Sequence, residues 1–508
     1  MKLPITLLAL LAFVGCADLA RVPVAEAQEA KRPAVAASSS AAASPSVEER
    51  IRRVEAGLLA AVTIKGAPPS AMALAERMKF YRIPGVSVAV VNDGRVEWAR
   101  GFGVKDAGTN EPVTAETLFQ AGSISKPVAA LAALRLAQEG KLSLDEDVNA
   151  RLTTWKVPEN EFTKEKKVTL RGLLTHSAGL TVHGFPGYAA DAEVPTVVQV
   201  LNGEKPANTA AVRVDTVPGT RWRYSGGGYT VMQQLVADVA KKPFPEVARR
   251  LVLDPAGMKH STYEQPLPAR LAAQAATAHR AGQPIKGRFH TYPEMAAAGL
   301  WTTPSDLALL AVELQNALAG RSNKIISKET AAQMMSRQFG EWGLGPGVEV
   351  RNGVVKFSHG GVDEGFEAFW VGYGDGRGAA VMTNGDRGSA LANEVLRSIA
   401  REYGWDDYKT VERELAKVDP KIYEAYTGDY EIKVNPTQTI VLSLSTEGGK
   451  LLAQQQGGPK REWLPSSETE FFSLTSGNTF KFVRDAQGAV TEVVLSQGGE
   501  QFRGKKIK

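Results

Sequence analysis

A single cysteine, Cys16, occurs in 508 residues. One thiol excludes a disulfide framework and every zinc or iron–sulfur site built on several cysteines. The six histidines, at 176, 183, 260, 279, 290 and 359, lack H-E-x-x-H or comparable spacing, so no metal site is expected and no cofactor is implied. Charge of one sign is scarce: 60 Lys+Arg against 55 Asp+Glu leave a formal charge of +5. The basic residues are dispersed, and Arg503-Gly504-Lys505-Lys506 is their densest run, so nucleic acid is not an expected partner. Past the N-terminus no run of 18 apolar residues occurs, which leaves no later membrane span. A hydrophobic content of 43% with so small a net charge excludes a disordered chain and supplies ample material for a core.

What is present begins with an export pattern. Lys2 precedes an apolar stretch from Leu3 to Val14 and the small residues Gly15-Cys16-Ala17. That reads as a secretory signal over 1–16, too short to span a bilayer. Phe13-Val14-Gly15-Cys16 is similar to a bacterial lipobox, with Phe13 in place of the usual small aliphatic residue, and makes Cys16 the candidate lipidation site. The alternative is ordinary cleavage after Ala17, or after Ala25-Glu26-Ala27, giving a soluble exported protein. Either way the expected location is the periplasm or, through a lipid anchor, the outer membrane. Residues 17–45 contain the Ala/Ser-rich stretch Ala34–Pro45 and read as a flexible tether.

Folded chain is expected from Ser46. Ser46 and Glu49 form a capping-box pattern ahead of a helix that places Ile51, Val54 and Leu58 on one face. Residues 86–91 and 95–99 read as a β-hairpin around Asn92-Asp93-Gly94. A buried Ala/Leu helix is expected over 127–140, with strands returning at 354–372 and 378–383. Strands at both ends and helices between them predict an α+β domain over 46–405, an antiparallel sheet flanked by helices with a helical insertion. Short alternating runs at 440–444, 451–455, 480–484 and 490–495, separated by glycine-rich turns, predict a small all-β domain, barrel or sandwich, over 406–508.

Three stretches carry candidate chemistry. Ser123-Ile124-Ser125-Lys126 puts a hydroxyl and an amine on one face of a helical turn, where the amine reaches the hydroxyl and the helix N-terminus favours an oxyanion. Taken alone, S-x-x-K more often describes a helix cap beside a solvated lysine. Tyr224 stands before Ser225-Gly226-Gly227-Gly228, either an open loop at a cleft or an aromatic anchor for a loop. His359-Gly360-Gly361 follows a strand-like run and offers an imidazole and bare backbone N–H groups, or a merely structural histidine.

Their order, with gaps of about a hundred residues, resembles the penicillin-recognising serine hydrolases, in particular the class C β-lactamase branch with its D-peptidases and esterases. The stretches 173–180, 298–306 and 381–384 support the resemblance, which covers about residues 70–400. The trailing domain, opening with Tyr426-Thr427-Gly428-Asp429-Tyr430, is similar to the lipocalin-like domain appended to some members. The resemblance implies that Ser123 is the acylated nucleophile and that Lys126 and Tyr224 relay its proton. It implies an oxyanion hole at the backbone N–H groups of Ser123 and Val362, and places His359, Gly360 and Gly361 against the substrate. Two positions depart from the family pattern: Gly226 stands where an Asn is usual, and His359 where a Lys is usual. Both favour an esterase or amide hydrolase with a less anionic substrate over an efficient β-lactamase. The expected function is an exported serine hydrolase acting on a small-molecule ester, D-amino-acid amide or peptide, or β-lactam. The alternative is a binding protein of the same fold with little or no turnover. If His359 met a substrate carboxylate as imidazolium, activity on anionic substrates would fall between about pH 5.5 and 7.5.

Overall fold

Asp93 and Gly94 both take positive φ, 50° and 70°, the conformation that closes a two-residue hairpin with the twist of its strands. They join β1 (Gly85–Asn92) to β2 (Arg95–Gly103). The computed structural model containing this hairpin describes residues 45–68, 71–435, 438–455, 460–497 and 500–507. The expected signal, Cys16 and nearly all of the tether lie outside the described residues. Among the described residues no helix is long and apolar enough to cross a membrane.

Four more strands complete the sheet: β3 (Gly347–Arg351), β4 (Val354–Asp363), β5 (Phe366–Tyr373) and β6 (Gly378–Thr383). The order is β2-β1-β6-β5-β4-β3, with every pair antiparallel. The hairpin formed early in the chain therefore pairs with a strand nearly three hundred residues later. Side chains alternate between the faces, as the pleat requires. Val88, Val90 and Val371 pack with Ile51 and Val54 of α1 (Val47–Glu55) and with Leu391, Val395 and Ile399 of the last long helix. Trp370, Ala380 and Met382 belong to the opposite layer, with the helices α2 (Ser125–Gln138), α3 (Gly226–Ala240) and α4 (Pro304–Leu318). The last long helix is α5 (Gly388–Glu402). The molecule is thus an α+β domain with a central antiparallel sheet flanked by helices, and the helix-rich segment between β2 and β3 covers one face.

The capping box is formed as read: Ser46 Oγ accepts from Glu49 N and the Glu49 carboxylate accepts from Ser46 N. The Ala/Leu helix ends at Gln138, and Gly140 follows at φ +71°.

The C-terminal strands, from Gly428–Asn435 to Glu500–Lys506, form a closed eight-stranded antiparallel barrel. Of the two forms left open by the sequence, the barrel is the one adopted. Its interior holds stacked aromatic pairs, Tyr426 on Phe482 at 4.0 Å and Trp463 on Phe480 at 3.6 Å between ring centroids. Phe471, Tyr430 and Ile432 pack with them, so the barrel has a side-chain core. A parallel pair, Val62–Ile64 with Val411–Arg413, and the bond from Val62 N to Leu474 O (3.0 Å) tie the barrel to the start of the folded chain.

Candidate active site

The Ser123 turn is built by glycine and held by a strand. Gly122 has φ +51°, and a Cβ there would lie 2.4 Å from Val362 N. Opposite it, a Cβ on Gly361 would lie 1.9 Å from Ala121 O. Only glycine permits this approach between the turn Gly122–Ile124 and the end of β4. Ala121 N donates to Leu300 O (2.9 Å), Leu300 N donates to Ser125 Oγ (3.0 Å) and Tyr263 Oη donates to Ser125 O (2.6 Å). These bonds fix the entry of α2 and so the direction of the next side chain. That side chain is Lys126, buried, whose Nζ lies 2.9 Å from Ser123 Oγ and donates to Ala297 O at 2.8 Å.

Tyr224 arrives from the other side. Ser225 caps α3, accepting from Gly228 N (2.9 Å) and donating from Oγ to Thr181 O (2.7 Å). Ser225 N donates to Nδ1 of the buried His176 at 3.1 Å. The His176 ring stacks on Tyr224 with centroids 4.2 Å apart, and Lys126 Nζ stands 4.9 Å from the Tyr224 ring centre. The three sequence motifs therefore converge: Ser123, Lys126, Tyr224, His359, Gly360 and Val362 line one cavity of about 360 Å³. Gly361 faces the Ser123 turn behind it. The Val362 side chain points outward, 62% exposed, while its backbone N faces Gly122. Among the described residues, no lining residue comes from the barrel.

His359 is buried, with Nδ1 2.6 Å from Gly360 O and no protein partner for Nε2. Burial, and secondarily the Lys126 charge, push its pKa down to about 3. The imidazolium considered from sequence is thus replaced by a neutral ring across the working pH range. Burial likewise lowers His176 well below the ordinary histidine value and lowers His183, with Lys126 adding to both.

Gly226 departs from the family pattern for a visible reason. A Cβ there would lie 3.0 Å from Phe185 Cε2 and 3.1 Å from His183 O, so the loop 183–185 fills the space of the usual Asn. The contact that holds the lysine comes instead from Ala297 O, at the end of the short helix Met295–Ala298. Sequence reasoning missed His176, His183, Phe185, Ala297 and Asp363. Thr175-His176-Ser177 lies inside the supporting stretch 173–180, and His176 at φ +59° marks the tight corner that aims its ring. Ala297 acts through a carbonyl, which no residue type advertises. Among the described residues no group of three His, Cys, Asp or Glu is placed to hold a metal.

A helical turn carrying Ser123, a lysine beside it and the end of an antiparallel strand opposite, set on a sheet flanked by helices, define the class of fold. Within that class the chain belongs to the beta-lactamase family, whose model matches residues 71–403. Residues 412–507 match a domain of unknown function, DUF3471. The chain is 26% identical over 186 residues to Protein flp of Staphylococcus aureus (strain N315), covering 36% of this chain and 35% of that one. It is 29% identical over 206 residues to Esterase EstB of Burkholderia gladioli, covering 39% and 51%. The aligned part thus spans between a third and about half of these relatives' length. An octameric penicillin-binding protein homologue from Pyrococcus abyssi shares the fold, with a TM-score of 0.57 and 22% identity over 85% of this chain and 98% of that one.

Proposed function

We propose that the protein is a serine hydrolase that forms an acyl-enzyme at Ser123 on small neutral esters or amides. The observation that carries this is the 2.9 Å contact between Lys126 Nζ and Ser123 Oγ at the wall of the 360 Å³ cavity. In acylation, Ser123 Oγ attacks the substrate carbonyl carbon, and its proton passes to the Lys126–Tyr224 pair, which relays it. The carbonyl oxygen becomes an oxyanion facing the N–H groups of Ser123 and Val362. Collapse expels the alcohol or amine, which takes the proton back through Lys126 and Tyr224. Water then repeats the sequence on the acyl-serine and releases the acid.

Electrostatics support the choice of substrate. Among the described residues Lys126 is the one Lys or Arg lining the cavity, and it is already engaged by Ser123 and Ala297. His359 and His183 line the same space as neutral rings. A substrate carboxylate, such as that of a β-lactam, therefore lacks a dedicated cation, and a neutral acyl group loses nothing. The esterase name of one relative points the same way. A fluorophosphonate probe should label the wild type at a single site, and Ser123→Ala should abolish both labelling and p-nitrophenyl butyrate hydrolysis. Equal labelling of Ser123→Ala would refute the assignment. Faster turnover of nitrocefin than of the ester would refute the substrate class.

A further inference from the structure

Asp363 closes β4 beside the nucleophile turn and has no part in the proton relay. Its side chain is buried, lines the Ser123 cavity, and accepts a hydrogen bond through Oδ2 from Gly122 N at 3.2 Å. That N–H belongs to the residue before Ser123, in the turn whose spacing from Gly361 and Val362 sets the oxyanion hole. The residue is fixed from behind as well. It starts the hairpin Asp363-Glu364-Gly365-Phe366, pairing across it with Phe366, and Gly365 at φ +70° receives His279 N on its carbonyl. The carboxyl therefore cannot follow the turn if the turn drifts; it restrains it.

We propose that Asp363 is a positioning residue, whose carboxyl oxygen holds Gly122 N–H so that the Ser123 and Val362 N–H groups converge on one oxyanion. This rests on the hydrolase reading above and adds to it a group that touches neither the nucleophile nor its base.

The environment says in which form the carboxyl does this. The groups facing it are Lys126 from α2, Tyr292 and Glu294 from the segment before Met295–Ala298, and Gly122 N–H. The Tyr292 hydroxyl accepts from Glu364 N (2.9 Å) and lies 3.5 Å from Pro186 O, which leaves Asp363 Oδ1 without a hydrogen bond of normal geometry. Lys126 Nζ is committed to Ser123 and Ala297 and makes no ion pair with Asp363. Burial and the nearby Glu294 push the carboxyl well above the usual aspartate range, against the opposing pull of Lys126 and Gly122 N–H. A neutral acid suits the position, because an anion there would repel the oxyanion it helps to organise.

Two variants of similar volume separate this from a packing role. Asp363→Asn keeps a neutral acceptor for Gly122 N–H, whereas Asp363→Leu keeps the bulk and removes the acceptor. With p-nitrophenyl butyrate, Leu should lower kcat by about 10²-fold, the scale of one misplaced oxyanion donor, with KM changed less than about threefold. Asn should stay within about threefold of wild type in both. A folded Leu variant of full kcat, an Asn variant as slow as Leu, or a loss confined to KM would overturn the proposal. So would a Leu variant that cannot fold, since Asp363 would then be a determinant of the fold. Fluorophosphonate labelling of wild-type Ser123 is measured first. If it is absent, the hydrolase reading itself fails; if it is present and Leu is labelled at the wild-type rate, only the role of Asp363 fails.

Discussion

Glu294 is fully buried, and among the described residues neither carboxyl oxygen has a hydrogen-bond partner beyond its own backbone N–H. Desolvation dominates and raises its pKa to about 8 from an ordinary 4.5, opposed only by its own backbone N–H. Between those values the folded chain keeps a proton that the unfolded chain releases, so stability must fall as pH rises. Each unit is worth about 1.4 kcal/mol, and integration from pH 5 to pH 8 gives a loss of about 3.5 kcal/mol from this one group. For a folding unit of about 350 residues the unfolding entropy is about 0.7 kcal/mol per degree, so the loss amounts to about 5 °C in Tm. Glu294→Gln removes the ionisation and keeps the shape. Thermal unfolding of both proteins by circular dichroism at half-unit steps from pH 5 to pH 8 should show the two Tm curves diverging by about that amount, with the glutamine variant higher at pH 8. Other titrating groups, Asp363 included, act on both proteins and largely cancel in the difference. Parallel curves would refute the reasoning, and so would a variant that gains at pH 5 rather than pH 8.

His359 gives the opposite sign. Because its folded pKa is depressed to about 3, its neutral form stabilises the fold above the unfolded value of about 6.5, and that stability is lost as pH falls from there. Its charge does not change near neutrality, so kcat/KM for an anionic ester should show no inflection from this ring between pH 5.5 and 7.5; an inflection abolished by His359→Gln would contradict the burial argument. Gly226→Asn, which restores the family residue, should destabilise by about 1–3 kcal/mol by urea unfolding, because Phe185 and His183 O already occupy its space. An Asn variant as stable as wild type and faster would show that the 183–185 loop yields easily.

The sheet was legible wherever local pattern and turn chemistry coincided. Asp93-Gly94 closes its hairpin, Gly140 follows its helix, and the runs at 440–444 and 451–455 fall inside barrel strands. Strands at 461–465 and 470–472 escaped, because Arg461–Pro465 ends in proline and Glu470–Phe472 is only three residues long. The order of the sheet could not be read from pattern, since β1 finds β6 across the whole helical segment. At the site, the side chains to which the proposed reaction gives a role by type (Ser123, Lys126, Tyr224) were visible. Groups proposed to work by position were hidden: the carbonyl of Ala297 and the carboxyl of Asp363 draw notice only because the backbone brings them to Lys126 and Gly122. His359 was visible as a residue, but its charge state was not, because burial decides that.

These charge states form a pattern with a consequence for the proposed reaction. His176, His183 and His359 are driven towards neutrality by burial with Lys126 reinforcing it, while Glu294 and Asp363 are driven to their protonated acids. Burial therefore uncharges acids and bases alike around one lysine. A fixed carboxylate beside Lys126 would hold its proton in place and would repel a developing oxyanion. A fixed imidazolium would bind an anionic substrate in the ground state and gain little at the transition state. With both removed, the charge that develops on the substrate oxygen in the proposed reaction meets the N–H groups of Ser123 and Val362 without a competing fixed charge beside it. The same arrangement narrows stability from both sides of pH: neutral histidine is costly to keep in acid, and neutral carboxyls are costly to keep in base. Under the proposed reaction, a site organised this way would favour a substrate that arrives uncharged and acquires its charge only as the bond to Ser123 forms.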